Sequence, residues 1–117
     1  SALTRLKVGP MLDCEEGRQL IKSVWAEGCA VAKALTGVDL WEEMLEELPR
    51  LREGFAKYYP SMAQDVLINR RQTEVELLNG AIVHYGRLLG IPTPVNEALT
   101  LMIQTIQKNY DMQYCKQ

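Results

Sequence analysis

One stretch of this chain packs polar groups densely between two helical stripes. Pro60-Ser61-Met62-Ala63-Gln64-Asp65 is followed by Asn69-Arg70-Arg71-Gln72-Thr73-Glu74 and then Asn79-Gly80. The stretch runs on into Gly90-Ile91-Pro92-Thr93-Pro94-Val95-Asn96. Ser61 follows a proline and precedes Gln64 by three residues, the pattern of a helix N-cap with a capping box. Glu74 follows Thr73, so a helix capped by Thr73 places Glu74 in its first turn. There the helix dipole favours the ionised carboxylate, which suits accepting a hydrogen bond better than donating a proton. Arg70 and Arg71 have the charge and the fork geometry to hold a carboxylate or a phosphate. A solvated turn explains them more simply.

Other chemistry is harder to place. No G-x-G-x-x-G turn, no G-x-x-x-x-G-K-[ST] loop, no nucleophile elbow and no H-E-x-x-H helix occurs. The single histidine, His84, reads as a partly exposed helix residue without a role. Cys14, Cys29 and Cys115 are odd in number and far apart, with no C-x-x-C pair. They offer neither a disulfide framework nor a zinc set, and they suit a reducing cytoplasm. Cys14 stands near a helix start, where a thiolate is favoured; an inert thiol is the plainer account. The net charge of −2 gives no electrostatic reason to bind nucleic acid or an anionic membrane. No apolar run approaches the roughly 20 residues that span a bilayer, and the start lacks the pattern of a signal peptide.

The elements that must carry these residues read as helices. A chain of 117 residues suits one domain with one core. Leu20, Ile21, Val24, Trp25, Gly28, Val31, Ala32 and Leu35 share one helix face, predicting a first helix over about Cys14 to Leu35. Asp13 and Glu16 have capping-box spacing before it, and Gly37 is its stop. A second helix starts near Asp39, with Glu42 three residues on, and carries Leu40, Met44, Leu48, Leu51 and Phe55. Pro49 predicts a kink or break inside it. A short third segment follows Pro60. The fourth is predicted from Thr73 to Leu89, with Leu77, Leu78, Ala81, Ile82, Tyr85 and Leu89 on its apolar face and Gly90 as its end. Gly80, in mid-helix, costs about 1 kcal/mol against alanine and permits close packing. The fifth starts at Thr93-Pro94, an N-cap followed by proline at the first helical position. Trp25 and Trp41 read as packing residues, and Tyr58 and Tyr59 as candidates for an interface. No stretch alternates with period two, so the expected fold is all-α, a compact bundle of about five helices.

Three separated blocks in this order, S-M-x-Q-D, T-E-x-x-x-x-N-G and G-I-P-T-P-x-N, resemble the C-terminal domain of ketopantoate reductases (2-dehydropantoate 2-reductases). Ala2-Leu3-Thr4 through Gly9 is similar to the end of that domain's first conserved block. The resemblance covers nearly the whole chain. It implies the fold of that domain, which is like the C-terminal domain of 6-phosphogluconate dehydrogenase. Residues 1–117 are then the helical substrate-binding and dimerisation domain of a two-domain enzyme, whose N-terminal Rossmann domain is not in this chain.

The resemblance further implies NADPH as cofactor, bound mainly by that other domain. The implied reaction is reduction of ketopantoate, or a related 2-keto acid, to pantoate in pantothenate biosynthesis. The family's substrate-binding serine matches Ser61, and its glutamate that contacts the substrate hydroxyl matches Glu74. The family's catalytic lysine and two asparagines, spaced K-x-x-x-N-x-x-x-N, lie upstream, so no catalytic residue is expected within this chain, and the isolated domain is expected to be inactive. Two departures stand out. Arg5 replaces an asparagine of the family, and the segment from Asp65 to Glu74 is one residue longer than the family pattern. The rival reading is a non-catalytic helical module for dimerisation or partner binding.

Overall fold

Glycine and proline punctuation divides the chain into helices much as the sequence predicts. The structure, a computed structural model, describes residues 1–114; Cys115 lies outside the described residues. The elements are α1 (Val8–Asp13), α2 (Glu15–Thr36), α3 (Trp41–Phe55), α4 (Ser61–Gln64), a π-helical turn (Asp65–Asn69), α5 (Asn79–Leu89), α6 (Pro94–Gln107) and a 3₁₀ turn (Tyr110–Met112). No strand occurs among the described residues. No described helix is long and apolar enough to cross a membrane.

Helix α2 is the spine. Its 22 residues reach about 33 Å at 1.5 Å per residue, and it packs against α1, α3, α5 and α6. Gly37 ends it in the left-handed region at φ 77°, its N–H bonded to the Lys33 carbonyl. Gly90 ends α5 in the same way, at φ 72°. Two apolar clusters result. Val8, Leu12 and Leu48 gather Ile21, Trp25, Leu45 and Leu51 between α1, α2 and α3. Val66, Val75 and Ile103 gather Leu3, Met62, Leu67, Ile106 and Tyr110 between the π-helical turn, residues 73–78 and α6.

Helix α1 was not expected, and it changes the start of α2. Its first N–H groups are satisfied by the end of α3: Val8 N donates to Tyr58 O at 3.1 Å and Gly9 N to Ala56 O at 2.9 Å. The orphan donors of one helix thus meet carbonyls at the orphan end of another. Asp13 becomes the last residue of α1 rather than a cap. The N-cap of α2 is Cys14, extended at φ −104° and ψ 148°, whose Sγ accepts from Gly17 N. Helix α3 runs unbroken through Pro49. Leu45, Leu48 and Leu51, on both sides of the proline, are packed in the first cluster and hold the two halves in line.

The largest correction falls on residues 73–78. The predicted fourth helix does not begin at Thr73; these residues form a turn, and α5 starts at Asn79. Leu78, at φ −101° and ψ −89°, departs from helical geometry. Gly80 N reaches back to Val75 O, five residues away, at 2.8 Å. A Cβ on Gly80 would stand 3.3 Å from that same oxygen. The glycine therefore serves this wide turn as well as helix packing.

Candidate functional site

Ser61 is the first residue of α4, and its side chain is exposed. It does not cap the helix. The N-cap position is Pro60, and no side chain caps there. Gln64 turns back instead and donates from Nε2 to Tyr59 O at 2.9 Å.

Glu74 is exposed too, between Thr73 at 8% exposure and Val75 at 0%. Because α5 starts only at Asn79, Glu74 lies outside the reach of its dipole, which fades within the first turn. Its position is fixed by its neighbours. Thr73 Oγ1 accepts from Val75 N at 3.2 Å, closing a tight turn around Glu74. The Glu74 carbonyl accepts from Leu77 N and Leu78 N.

Ser61 and Glu74 make no hydrogen bond to each other among the described residues. They stand on two segments of one core, since Met62 and Val75, their chain neighbours, pack in the same apolar cluster.

The segment joining them opens on a π-helical turn. The hydrogen bonds of a π-helical turn span five residues, one more than those of an α-helix. Here Asp65–Asn69 winds as such a turn, and Arg70 N bonds to Asp65 O before the chain turns at Arg70, φ 52°. Arg71 is not a free anion receptor. Its Nε pairs with Oδ1 of buried Asp65, and its carbonyl accepts from the Tyr110 hydroxyl at 2.6 Å. Arg70 lies 5.7 Å above the Tyr110 ring.

Beside Ser61 opens a cavity of about 210 Å³, lined by Ala2, Leu3, Ile21, Trp25, Pro60, Met62 and Asn79 among others. Its walls are mostly apolar, and Asn79 brings an amide to them. The orientation of that amide follows from a chain of necessity. The Glu27 carboxylate and the Val24 carbonyl can only accept, so Asn96 must turn its NH₂ towards them, at 2.8 and 3.1 Å. Its Oδ1 then faces Asn79, which must donate from Nδ2, at 2.8 Å. The sequence reading missed this network. One signal was present: Leu20, Val24, Glu27 and Val31 follow one line along α2, and a glutamate there interrupts an apolar stripe.

The helix starts give a further test of what this domain can hold. The N-terminus of α6 is taken by Glu27, whose carboxylate accepts from Val95 N at 2.9 Å and Asn96 N at 2.8 Å. Glu15 and Glu16 occupy the first turn of α2, and Glu42 and Glu43 that of α3. Carboxylates at these places repel a pyrophosphate. The starts of α2, α3 and α6 are therefore not open to a dinucleotide phosphate. Among the described residues, no group of three or more His, Cys, Asp or Glu gathers in a metal-binding arrangement.

Comparison with known proteins adds the family. The family described as "Ketopantoate reductase PanE/ApbA C terminal" matches residues 1–107. The chain belongs to the ketopantoate reductase C-terminal domain family. A 2-dehydropantoate 2-reductase of Streptococcus pyogenes is 34% identical over 103 residues, 87% of this chain and 33% of that protein. One from Pyrobaculum aerophilum is 36% identical over 104 residues, 89% of this chain and 37% of that protein. A crystal structure of a PanE/ApbA family ketopantoate reductase from Ralstonia eutropha JMP134 matches with TM-score 0.84 and 32% identity, covering 95% of this chain and 37% of that one. D-mandelate dehydrogenase, solved with NADH and anilino(oxo)acetate, shares the fold at TM-score 0.87 and 23% identity. The chain spans about a third of the length of the curated relatives it matches. The all-α fold expected of a ketopantoate reductase C-terminal domain is the one observed.

Proposed function

We propose that this domain is the substrate-holding part of a cytoplasmic, NADPH-dependent reductase that converts ketopantoate, or a related 2-keto acid, to the 2-hydroxy acid in pantothenate biosynthesis. The observation that carries the reading is the family match over residues 1–107, which includes all three polar blocks. NADPH, bound mainly by an N-terminal Rossmann domain, supplies the hydride. The lysine that would protonate the forming alkoxide belongs upstream, and this chain contributes positioning. Glu74 accepts a hydrogen bond from the substrate hydroxyl, and Ser61 donates one from Oγ to a substrate oxygen. The tight turn at Thr73–Val75 supports such a role, because it presents an exposed carboxylate from a backbone fixed on both sides. The domain alone neither reduces a keto acid nor binds NADPH tightly, in keeping with the carboxylates at its helix starts. A homodimer is part of the reading, with the Tyr58-Tyr59 region, where Tyr58 is exposed, and the face of the first predicted helix as contact candidates.

Steady-state kinetics of the full-length enzyme test the assignment. Glu74→Gln and Glu74→Ala are assayed with a hydroxylated 2-keto acid and with its analogue lacking the hydroxyl. A charge-assisted hydrogen bond is worth roughly 1.5–3 kcal/mol, so kcat/KM for the hydroxylated acid should fall by about 10- to 150-fold. The analogue should be nearly unaffected. Equal losses on both substrates rule out the hydroxyl contact.

A further inference from the structure

We infer that Gln107 is a positioning residue for Glu74, acting through Thr73. The inference goes beyond the proposed function and rests on its assignment of Glu74. Gln107, the last residue of α6, accepts with one atom, Oε1, from both Thr73 N at 3.0 Å and Thr73 Oγ1 at 2.8 Å. The backbone N–H can only donate, so the atom facing it must be the amide oxygen. With its hydroxyl proton given to Gln107, Thr73 Oγ1 has lone pairs to accept from Val75 N. A single relay thus runs from α6 through Thr73 to Val75, and Glu74 is the residue it encloses.

Two further contacts tie the flanks of this segment to the same end of the molecule. Gln104 Nε2 donates to Glu76 Oε1 at 3.0 Å, and the Tyr110 hydroxyl donates to Arg71 O. Glu74 is exposed, and its direction is set by the backbone on which it stands. Thr73 is 34 residues from Gln107 in sequence. The relay is therefore a tertiary device, and the α6 end acts as the template for the turn.

The test uses the full-length enzyme with Gln107→Met, which keeps length and removes the acceptor, and Gln107→Glu, which keeps an acceptor oxygen. The hydroxylated keto acid and the analogue without the hydroxyl are the paired substrates. Gln107→Met should lower kcat/KM for the hydroxylated acid by about tenfold and leave the analogue within about twofold. Gln107→Glu should behave like wild type on both. The double variant Glu74→Gln/Gln107→Met should lose no more than Glu74→Gln alone, because the second change acts only through the first. Thr73→Val, close in shape, should reproduce the pattern and stands in if Gln107→Met fails to fold. Equal losses on both substrates, or additive losses in the double variant, overturn the inference by making Gln107 merely structural. If Glu74→Gln costs activity on the hydroxylated acid and Gln107→Met costs none, the inference falls and the assignment of Glu74 stands. If Glu74→Gln itself costs nothing, both fall.

Discussion

Asn96 and Glu27, 69 residues apart in sequence, are joined by two hydrogen bonds of 2.8 Å, one from the Asn96 backbone N–H and one from its side-chain amide. Glu27 thereby caps α6 from the middle of α2, doing what the Thr93 side chain does not do. Asn96 is fully buried at 0% exposure and passes the constraint on to Asn79 at the start of α5. Three helices are therefore locked by one amide. Replacing it should be costly. Asn96→Leu leaves the Glu27 carboxylate, the Val24 carbonyl and the Asn79 amide short of a partner, and we expect a loss of about 2–4 kcal/mol. Glu27→Gln keeps one acceptor oxygen but presents an NH₂ to a backbone donor, and should cost about 1–2 kcal/mol. Urea denaturation of the two variants measures both. A loss below 0.5 kcal/mol for Asn96→Leu, on the ordinary scale of a surface change, would make the network incidental.

Two glycines should respond in opposite directions to alanine. A Cβ on Gly17 would lie 1.9 Å from the Met11 carbonyl oxygen, where α1 crosses the start of α2. That atom belongs to backbone and cannot swing aside, so Gly17→Ala should destabilise by about 1–3 kcal/mol. Gly54 lies within α3 with nothing within 4 Å of its Cβ position. Gly54→Ala should stabilise by about 0.5–1 kcal/mol, through lower backbone entropy of the unfolded chain. Thermal melts of the pair give both signs in one experiment.

The pair between Asp13 and Arg52 predicts a pH dependence. Arg52 Nε donates to Asp13 Oδ1 at 2.7 Å and Nη2 to Oδ2 at 3.1 Å. These hydrogen bonds hold the Asp13 carboxyl below the usual aspartate range. A depressed folded pKa contributes stability that is complete above the unfolded value and is lost as pH falls through the folded one. Asp13→Asn should therefore show a small deficit against wild type at neutral pH. The deficit should close as pH drops below about 3.9, and high salt should shrink it, since both partners are exposed. A deficit unchanged in strong acid would point to packing instead.

Cys29 should resist thiol reagents in the folded protein. It is 8% exposed in α2, and burial, aided by Asp39, pushes its thiol pKa up. Cys14 is exposed at the start of the same helix. Peptide mapping after brief labelling should find Cys14 modified and Cys29 intact, with Cys29 reacting only as denaturant opens the fold. Equal labelling of both in the native state would contradict the burial of this face of α2.

Local signals were legible wherever their physics is local. Gly37 and Gly90 end helices because a left-handed residue there costs glycine nothing, and Pro94 starts one because its missing N–H is not needed. The apolar stripes predicted α2, α3 and α6, and the three polar blocks pointed to the family. The face predicted for the fourth helix does not hold, since Leu77, Leu78, Tyr85 and Leu89 are exposed and α5 buries Val83 and Gly86 instead. What the sequence could not decide is what long-range contacts chose. Thr73 looks like a helix cap, yet its hydroxyl is drawn to Gln107 and the helix begins later, at Asn79. Asp13 looks like a cap, yet α1 claims it and Arg52 holds its carboxylate. Glu27 falls on the line of an apolar stripe, and only the fold makes it the anion at the start of α6. Caps and stops act within one helical turn, so their residues announce them. A side chain that can serve either its own turn or a distant helix is assigned only when the tertiary fold brings the second partner within bonding distance.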